Sequence, residues 1–314
     1  MPARVAIIGA GMTGLACAEA LAARGITARL FDKGRAAGGR MATRRLATSA
    51  GEASFDHGAQ FFTAREPAFA ARVARWAAAG IVAPWPAAGH EAFVGSPGMN
   101  APLRDMASRL EVLWYSEVTA ISRGTQGWHL QGAGVDEGDF EALVLAIPAE
   151  QAARLLAPVD TPMAALAEAT PSQPCWTLMA SFDTPLAFAN DSMRDAGTIG
   201  WAARNSAKPG RNGPESWVIQ ASPAWSAAHI ELPGEQVASL LLDALAACSP
   251  VSLPKPIAAS AHRWRYARSG GNGEAALWNA ELQLGVCGDW LLGPRVECAW
   301  ESGTRLAGML TVAP

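Results

Sequence analysis

At 314 residues, half of them hydrophobic and 17% charged, the chain can build one large or two medium globular domains and is not disordered. A net charge of −3 leaves no broad basic face for nucleic acid, and no apolar run reaches the length of a membrane span. The five cysteines (Cys17, Cys175, Cys248, Cys287 and Cys298) are odd in number, scattered and without a C-x-x-C, which argues against a disulfide framework or a metal site and fits a reducing, cytoplasmic location.

Near its start the chain reads V-A-I-I-G-A-G-M-T-G-L. Val5 to Ile8 has the character of a fully buried strand, and Gly9, Gly11 and Gly14 follow in the spacing G-x-G-x-x-G. An Ala/Leu-rich helix is expected from Thr13 to Arg24, stopped by Gly25, and a second apolar run, Thr27 to Phe31, ends in Asp32. Gly9 allows a tight turn, Gly11 lets a pyrophosphate approach the backbone, and Gly14 lets the helix pack close to the strand. The helix N-terminus offers unpaired N–H groups to phosphates, and Asp32 is placed to accept from the ribose hydroxyls of an adenosine. Because the apolar N-terminal run is interrupted by these glycines, it is read as part of the fold and not as a signal peptide.

Lys33 follows the acid, and Gly38-Gly39-Arg40 forms a second glycine turn ending in a cation that can pair with a phosphate. Phe55 to Phe62, F-D-H-G-A-Q-F-F, sets Asp56, His57 and Gln60 around Gly58. Such a polar cluster in an apolar run reads either as a site wall or as a strand with a satisfied buried histidine. A helix is expected over 66–83, a Pro/Gly loop over 84–97, and a helix from Met99 to Arg109 with Asn100 at its N-cap. Short strands follow at Val112–Trp114, Val118–Ser122 and Trp128–Leu130, then a buried strand Phe140–Ile147 and a helix Glu150–Leu156.

From 160 to 282, strand-like runs (Trp176–Phe182, Trp217–Ala221 and the basic-aromatic His262–Arg268) alternate with loops. Residues 208–214, K-P-G-R-N-G-P, read as an exposed turn. Gly234–Cys248 reads as an amphipathic helix with Val237, Leu240, Leu241 and Leu245 on its apolar face. The chain closes with a strand from Leu282 that ends at Gly288-Asp289, and with a helix Val296–Leu310 in which Ala299, Gly303 and Leu306 make a face for close packing.

Three segments together resemble the flavin-containing amine oxidase superfamily: Val5–Asp32 with Gly38-Gly39-Arg40, the Ala142–Pro148 strand, and Gly288-Asp289 followed by Val296-Glu297-x-Ala299-x-x-Ser302-Gly303. F-D-H-G-A-Q-F-F, P-C-W-T-L-M-A-S-F and H-R-W-R-Y-A-R narrow the resemblance to the bacterial renalase branch, nearly end to end. The resemblance implies an α/β fold: a Rossmann-type FAD-binding domain with a doubly wound, mostly parallel sheet, and a smaller α+β substrate domain. The first is expected at 1–65, 101–160 and 283–314, the second at 66–100 and 161–282. Carried over, the resemblance puts Gly9, Gly11, Gly14 and Arg40 at the pyrophosphate and Asp32 at the adenosine ribose, with Lys33 and Gly39 as further cofactor-binding candidates. It puts the Val118 backbone at the adenine, Gly288-Asp289 at the ribitol chain, and the N–H groups around Val296 at the flavin C2 carbonyl. A helix N-terminus there would also stabilise the negative charge of a reduced flavin.

The chain has no S-G-G-C-Y attachment segment, so the FAD is expected to be non-covalent. Only Tyr115 and Tyr266 exist, too few for a paired-tyrosine amine cage unless tryptophans replace them. The implied activity is hydride transfer from a small substrate to flavin N5, with O2 reoxidising the flavin to give H2O2. The substrate expected is a 2- or 6-dihydro isomer of NAD(P). His57, Gln60 and Trp290 are the candidate catalytic walls, with Trp201, Trp225 and Trp264 as further wall candidates. Arg204, Lys208, Arg211, Arg263 or Arg265 are candidates to steer a phosphate-bearing substrate. The competing readings are a flavin amine oxidase, a non-catalytic dinucleotide-binding redox sensor, and an NAD-dependent dehydrogenase. The C-terminal Gly288-Asp289 element argues against the last.

Overall fold

The computed structural model describes residues 4–311. Six strands make the central sheet: β1 (Val5–Ile8), β2 (Ala28–Phe31), β3 (Glu111–Leu113), β4 (Ala142–Leu145), β5 (Leu277–Asn279) and β6 (Leu284–Val286). Their order in space is β5-β6-β4-β1-β2-β3, parallel throughout except that β5 runs against β6. A parallel sheet covered on both faces needs strands apolar on both faces, and β1, β4 and β6 are buried along their whole length. The chain winds from β1 through β2 to β3 on one side and returns to β4 on the other. The winding therefore reverses between β1 and β4, and the crevice at their carboxyl ends is where open α/β sheets bind ligands.

The helix Met12–Ala22 follows β1, and the helix Val296–Met309 packs against it. A Cβ on Gly303 would run into the Thr13 carbonyl, so the two backbones can approach only because that position is glycine. Ala299, Gly303 and Leu306 are all buried there, as their spacing predicts.

An antiparallel three-stranded sheet (Glu117–Gly124, Gly127–Ala133, Val135–Phe140) precedes β4. Here the strand expected over Phe140–Ile147 divides in two. Phe140 pairs with Trp128 in the small sheet, after a left-handed Asp139 and a register shift, and β4 begins only at Ala142.

The second large sheet is antiparallel, in the order Ser192–Ala196, Ile199–Arg204, Glu215–Ala221, Ser172–Phe182, Ala258–Ser269. Its outer residues, among them Trp176, Leu178 and Ile219, share a core with Val237, Leu241 and Leu245 of the helix Gly234–Ala247. Leu240 is 39% exposed and lies off that stripe, because the buried positions repeat at every fourth residue. On the inner face, direct cross-strand partners line up as Trp201, Gln220, Thr177 and His262. The segment 66–100 bridges the two sheets. Phe69, Val73 and Trp76 join the core of Val5 and Leu15, and that same core takes in Trp85, Val94, Trp201 and Ala203.

Candidate active site

At the carboxyl end of β1, Gly9 takes φ +101°, and a Cβ there would collide with the Ala146 carbonyl that follows β4. A Cβ built on Gly11 meets nothing within 4 Å, so this part of the loop faces open space. No side chain caps the helix Met12–Ala22, which leaves its first-turn N–H groups available. Gly39 brings the second glycine turn against the first, with a Cβ position 3.6 Å from the Gly11 Cα.

The Asp32 carboxylate accepts from the Ala10 N–H and the Gly34 N–H, each at 2.7 Å. A carboxylate can take about four hydrogen bonds, so it retains capacity for hydroxyls. The Ser116 N–H donates to the Asp32 carbonyl at 2.9 Å, which sets the strand holding buried Val118 beside the acid. Lys33 pairs with the exposed Glu117, at 3.5 Å.

Arg40 forms a two-pronged pair with buried Asp289, Nη1 to Oδ2 at 2.8 Å and Nη2 to Oδ1 at 2.6 Å. The residues expected at the pyrophosphate and at the ribitol, 249 positions apart, therefore meet directly. Gly288 is tied to the last helix by its N–H, which donates to Ser302 Oγ at 2.9 Å. Val296 opens that helix, which has no side-chain cap either. The Glu297 carboxylate in its first turn is engaged instead by the Arg65 and Glu66 N–H groups, at 2.5 and 2.6 Å.

The Asp56 side chain is fully buried and is the hub of a charged cluster. Oδ2 takes Lys208 Nζ at 3.3 Å and Arg211 Nη2; Oδ1 takes Thr43 Oγ1 at 2.8 Å and the Met99 N–H at 2.9 Å. Burial pushes the Asp56 carboxyl up, but Lys208 and Arg211 outweigh it and hold it below the usual range. Burial pushes the Lys208 ammonium down to about 8 despite the pull of Asp56. The reading of 208–214 as an exposed turn holds for Gly210, Asn212 and Gly213 and is corrected for its two cations, which are buried against Asp56 at the end of the strand Gly51–Asp56. The signal that could have found this is Asp56 itself, because an acid in an apolar run must find a cation.

Gln60 belongs to the same cluster. Its Nε2 donates to the Asp56 and Gly58 carbonyls and its Oε1 accepts from Lys208 at 3.2 Å, so its amide fixes the loop. Trp290 does not reach the loop at all. It packs in the core with Leu143 and Leu145, its Nε1 donating to the Ile147 carbonyl at 3.2 Å. Consecutive helical side chains diverge by about 100°, so being next to Asp289 in sequence does not place Trp290 on the same side. Trp225 is likewise away from the loop, stacked on His229 at 4.2 Å against the outer core.

His57 does meet the second sheet. Its ring lies 5.0 Å from His262, edge to face, and 5.0 Å from Trp264, whose Nε1 donates to the His57 carbonyl at 2.8 Å. Gln220 Nε2 holds the Gly58 carbonyl at 2.7 Å. Burial, then His262, then Arg44 push the His57 ring down to about 4, and burial with Arg44 also lowers His262, so both rings are neutral near pH 7. The Ala42 and Phe55 carbonyls favour a charged His57 ring but do not outweigh burial, and His57 Nδ1 is buried without a hydrogen-bond partner. His262 is the residue of this cluster that the sequence left outside the candidate walls; its place in the H-R-W-R-Y-A-R strand was the available signal.

Residues 7–76 match the model of an NAD(P)-binding Rossmann-like domain, and residues 82–309 match that of the flavin containing amine oxidoreductases. Among solved structures, a putative protoporphyrinogen oxidase from Exiguobacterium sp. 255-15 is 13% identical over 98% of this chain and 99% of its own, with a TM-score of 0.75. Cyclohexylamine oxidase from Brevibacterium oxydans IH-35A is 14% identical over 98% of both chains, with a TM-score of 0.70. A double mutant of putrescine oxidase is 14% identical over 98% of both chains, with a TM-score of 0.71. At such identities the likeness is one of fold, an amine oxidase-like two-domain α/β architecture. The family match covers most of the chain: it belongs to the flavin containing amine oxidoreductases, and is an FAD-dependent oxidoreductase.

Proposed function

We propose that the chain is a renalase-like oxidase of 2- or 6-dihydro isomers of NAD or NADP, with O2 as acceptor and H2O2 as product. When bound, FAD supplies the hydride acceptor and passes the electrons on to oxygen. The residues present fit that group. The open space over Gly11, the uncapped helix and Gly39 suit a pyrophosphate, and Asp32 has lone pairs left for ribose hydroxyls. Arg40 and Asp289 would share a phosphate and the ribitol chain between them, and the uncapped helix at Val296 would face the flavin carbonyl. We assign the cofactor side to 1–65, 101–160 and 283–314, and the lid to 66–100 and 161–282.

The observation that carries the substrate assignment is the lack of negative charge on the wall. His57, His262 and Trp264 are neutral rings, and the acid beside them, Asp56, is already matched by two cations. A flat, uncharged dihydronicotinamide suits such a wall, whereas among the described residues an ammonium group would find no unpaired carboxylate there. Nor is there a tyrosine pair. Tyr115 is 72% exposed on the far turn, its N–H donating to Gly34, and Tyr266 stands on the second sheet.

Amine oxidation is the second reading, favoured by the names of the cyclohexylamine and putrescine oxidases that share the fold. The test is anaerobic mixing of holoenzyme with each donor in a stopped-flow instrument. Flavin bleaching by a dihydronicotinamide isomer, and none by benzylamine or a polyamine, is expected; the reverse would establish the amine reading.

A further inference from the structure

The five cations first considered for steering a phosphate all have carboxylate partners. Arg204 faces Asp191 and Glu215 at 3.4 and 3.3 Å, Lys208 and Arg211 share Asp56, and Arg263 and Arg265 hold Glu231 at 2.9 and 2.8 Å. Arg44 differs. It stands on the hairpin strand Thr43–Thr48 directly opposite Phe55, two residues from His57, and that strand packs against Ala258–Ser269. Among the described residues no carboxylate pairs with it, whereas its neighbour Arg45 is exposed and paired with Glu52 at 3.4 Å. Arg44 is half-buried, and its charge reaches both His57 and His262.

One place therefore holds an uncompensated guanidinium and three flat rings, of which His262 and Trp264 are partly accessible. A half-buried cation without a partner has lost part of its hydration with nothing in return, and an anion would restore the balance. A guanidinium also presents two parallel N–H donors that match a phosphate. We infer that Arg44 is the phosphate anchor of the substrate subsite. It would hold the phosphate of the nicotinamide mononucleotide half while His57, His262 and Trp264 take the ring. This rests on the dihydronicotinamide reading above and adds to it the residue that selects phosphorylated over unphosphorylated donors.

The probes are oxidised nicotinamide mononucleotide and nicotinamide riboside, which differ only in the phosphate. Each is titrated into oxidised holoenzyme and followed by perturbation of the flavin spectrum. The wild-type protein should bind the mononucleotide about ten- to a hundredfold more tightly, the range of a charge-assisted hydrogen bond. Arg44→Met should bring the two within about threefold of each other and remove the salt dependence. Arg45→Met should leave the ratio unchanged. In turnover, Arg44→Met should raise KM for phosphorylated donors with kcat held. A ratio retained in Arg44→Met, or absent from the wild-type protein, overturns the anchor alone. If no dihydronicotinamide isomer reduces the wild-type flavin, the parent reading fails and the anchor fails with it.

Discussion

Replacing Asp56 by Asn tests the buried cluster most directly. The variant keeps the shape of the side chain, and its Oδ1 can still accept from Thr43 and the Met99 N–H. What it removes is the one negative charge facing Lys208 and Arg211, both buried. Stranding buried charge in this way costs about 3–5 kcal/mol, a large part of a typical stability of about 5–15 kcal/mol. The pH dependence gives a second check. Lys208 titrates near 8 when folded against an ordinary 10.5, so the unfolded chain binds its proton more readily. The resulting penalty is complete below pH 8 and fades as the pH rises towards 10.5. In Asp56→Asn the folded value falls further, so between pH 7 and 9 the variant is relieved by at most about 2.7 kcal/mol and the wild type by about 1.4. The gap should narrow, by up to about 1 kcal/mol. Urea unfolding of FAD-saturated protein at both pH values measures it. A gap below about 1 kcal/mol at pH 7, or one that widens at pH 9, would refute the reasoning.

Three further outcomes are expected. His57, near 4 when folded and 6.5 ordinarily, should draw stability out of the fold as the pH falls through that window, by at most about 3 kcal/mol, and His57→Leu should flatten this part of a Tm-against-pH curve. Gly303→Val should separate the helices Met12–Ala22 and Val296–Met309 and abolish soluble expression or lower Tm sharply, while Gly308→Ala in the same helix, with nothing within 4 Å of its Cβ, should stabilise by about 0.5–1 kcal/mol. Gly11→Val should leave the circular dichroism spectrum of the folded chain intact, because its side chain enters open space, yet reduce FAD occupancy measured by absorbance; full occupancy would show the phosphate loop to be misplaced.

The parts legible in the sequence are those whose partners are close along the chain or whose spacing is itself the signal. The turn around Gly9 and the Ala299–Gly303–Leu306 face belong to this class, because a helix repeat or a close approach dictates the residue type locally. The Asp56–Lys208 pair spans 152 positions, and nothing local distinguishes a Pro/Gly-rich turn with two solvated cations from one with two buried cations. Only the need of Asp56 for a counter-charge pointed across that distance. Trp290 stands next to the Gly288-Asp289 motif in sequence, yet its ring packs in the core with Leu143 and Leu145, because neighbouring side chains leave a helix in different directions. Phe140 and Ala142 read as one apolar run because hydrophobicity alone does not mark the change of sheet that falls between them.

The Arg40–Asp289 pair bears on where cofactor affinity arises. Bound to each other, the two groups are satisfied, with both Asp289 oxygens and both Arg40 Nη atoms engaged. A ligand that places a phosphate at Arg40 and hydroxyls at Asp289 must share or displace that pair, so most of the new charge-assisted bonding offsets bonding already present. The net gain has to come from groups that have no partner beforehand. Those are the uncapped N–H groups at the starts of Met12–Ala22 and Val296–Met309, together with the lone pairs left on Asp32. On the assignment proposed above, Arg40 and Asp289 would act mainly to fix where the ligand lies, through a planar fork and a buried acid. The backbone at the starts of the two helices would then supply the attraction.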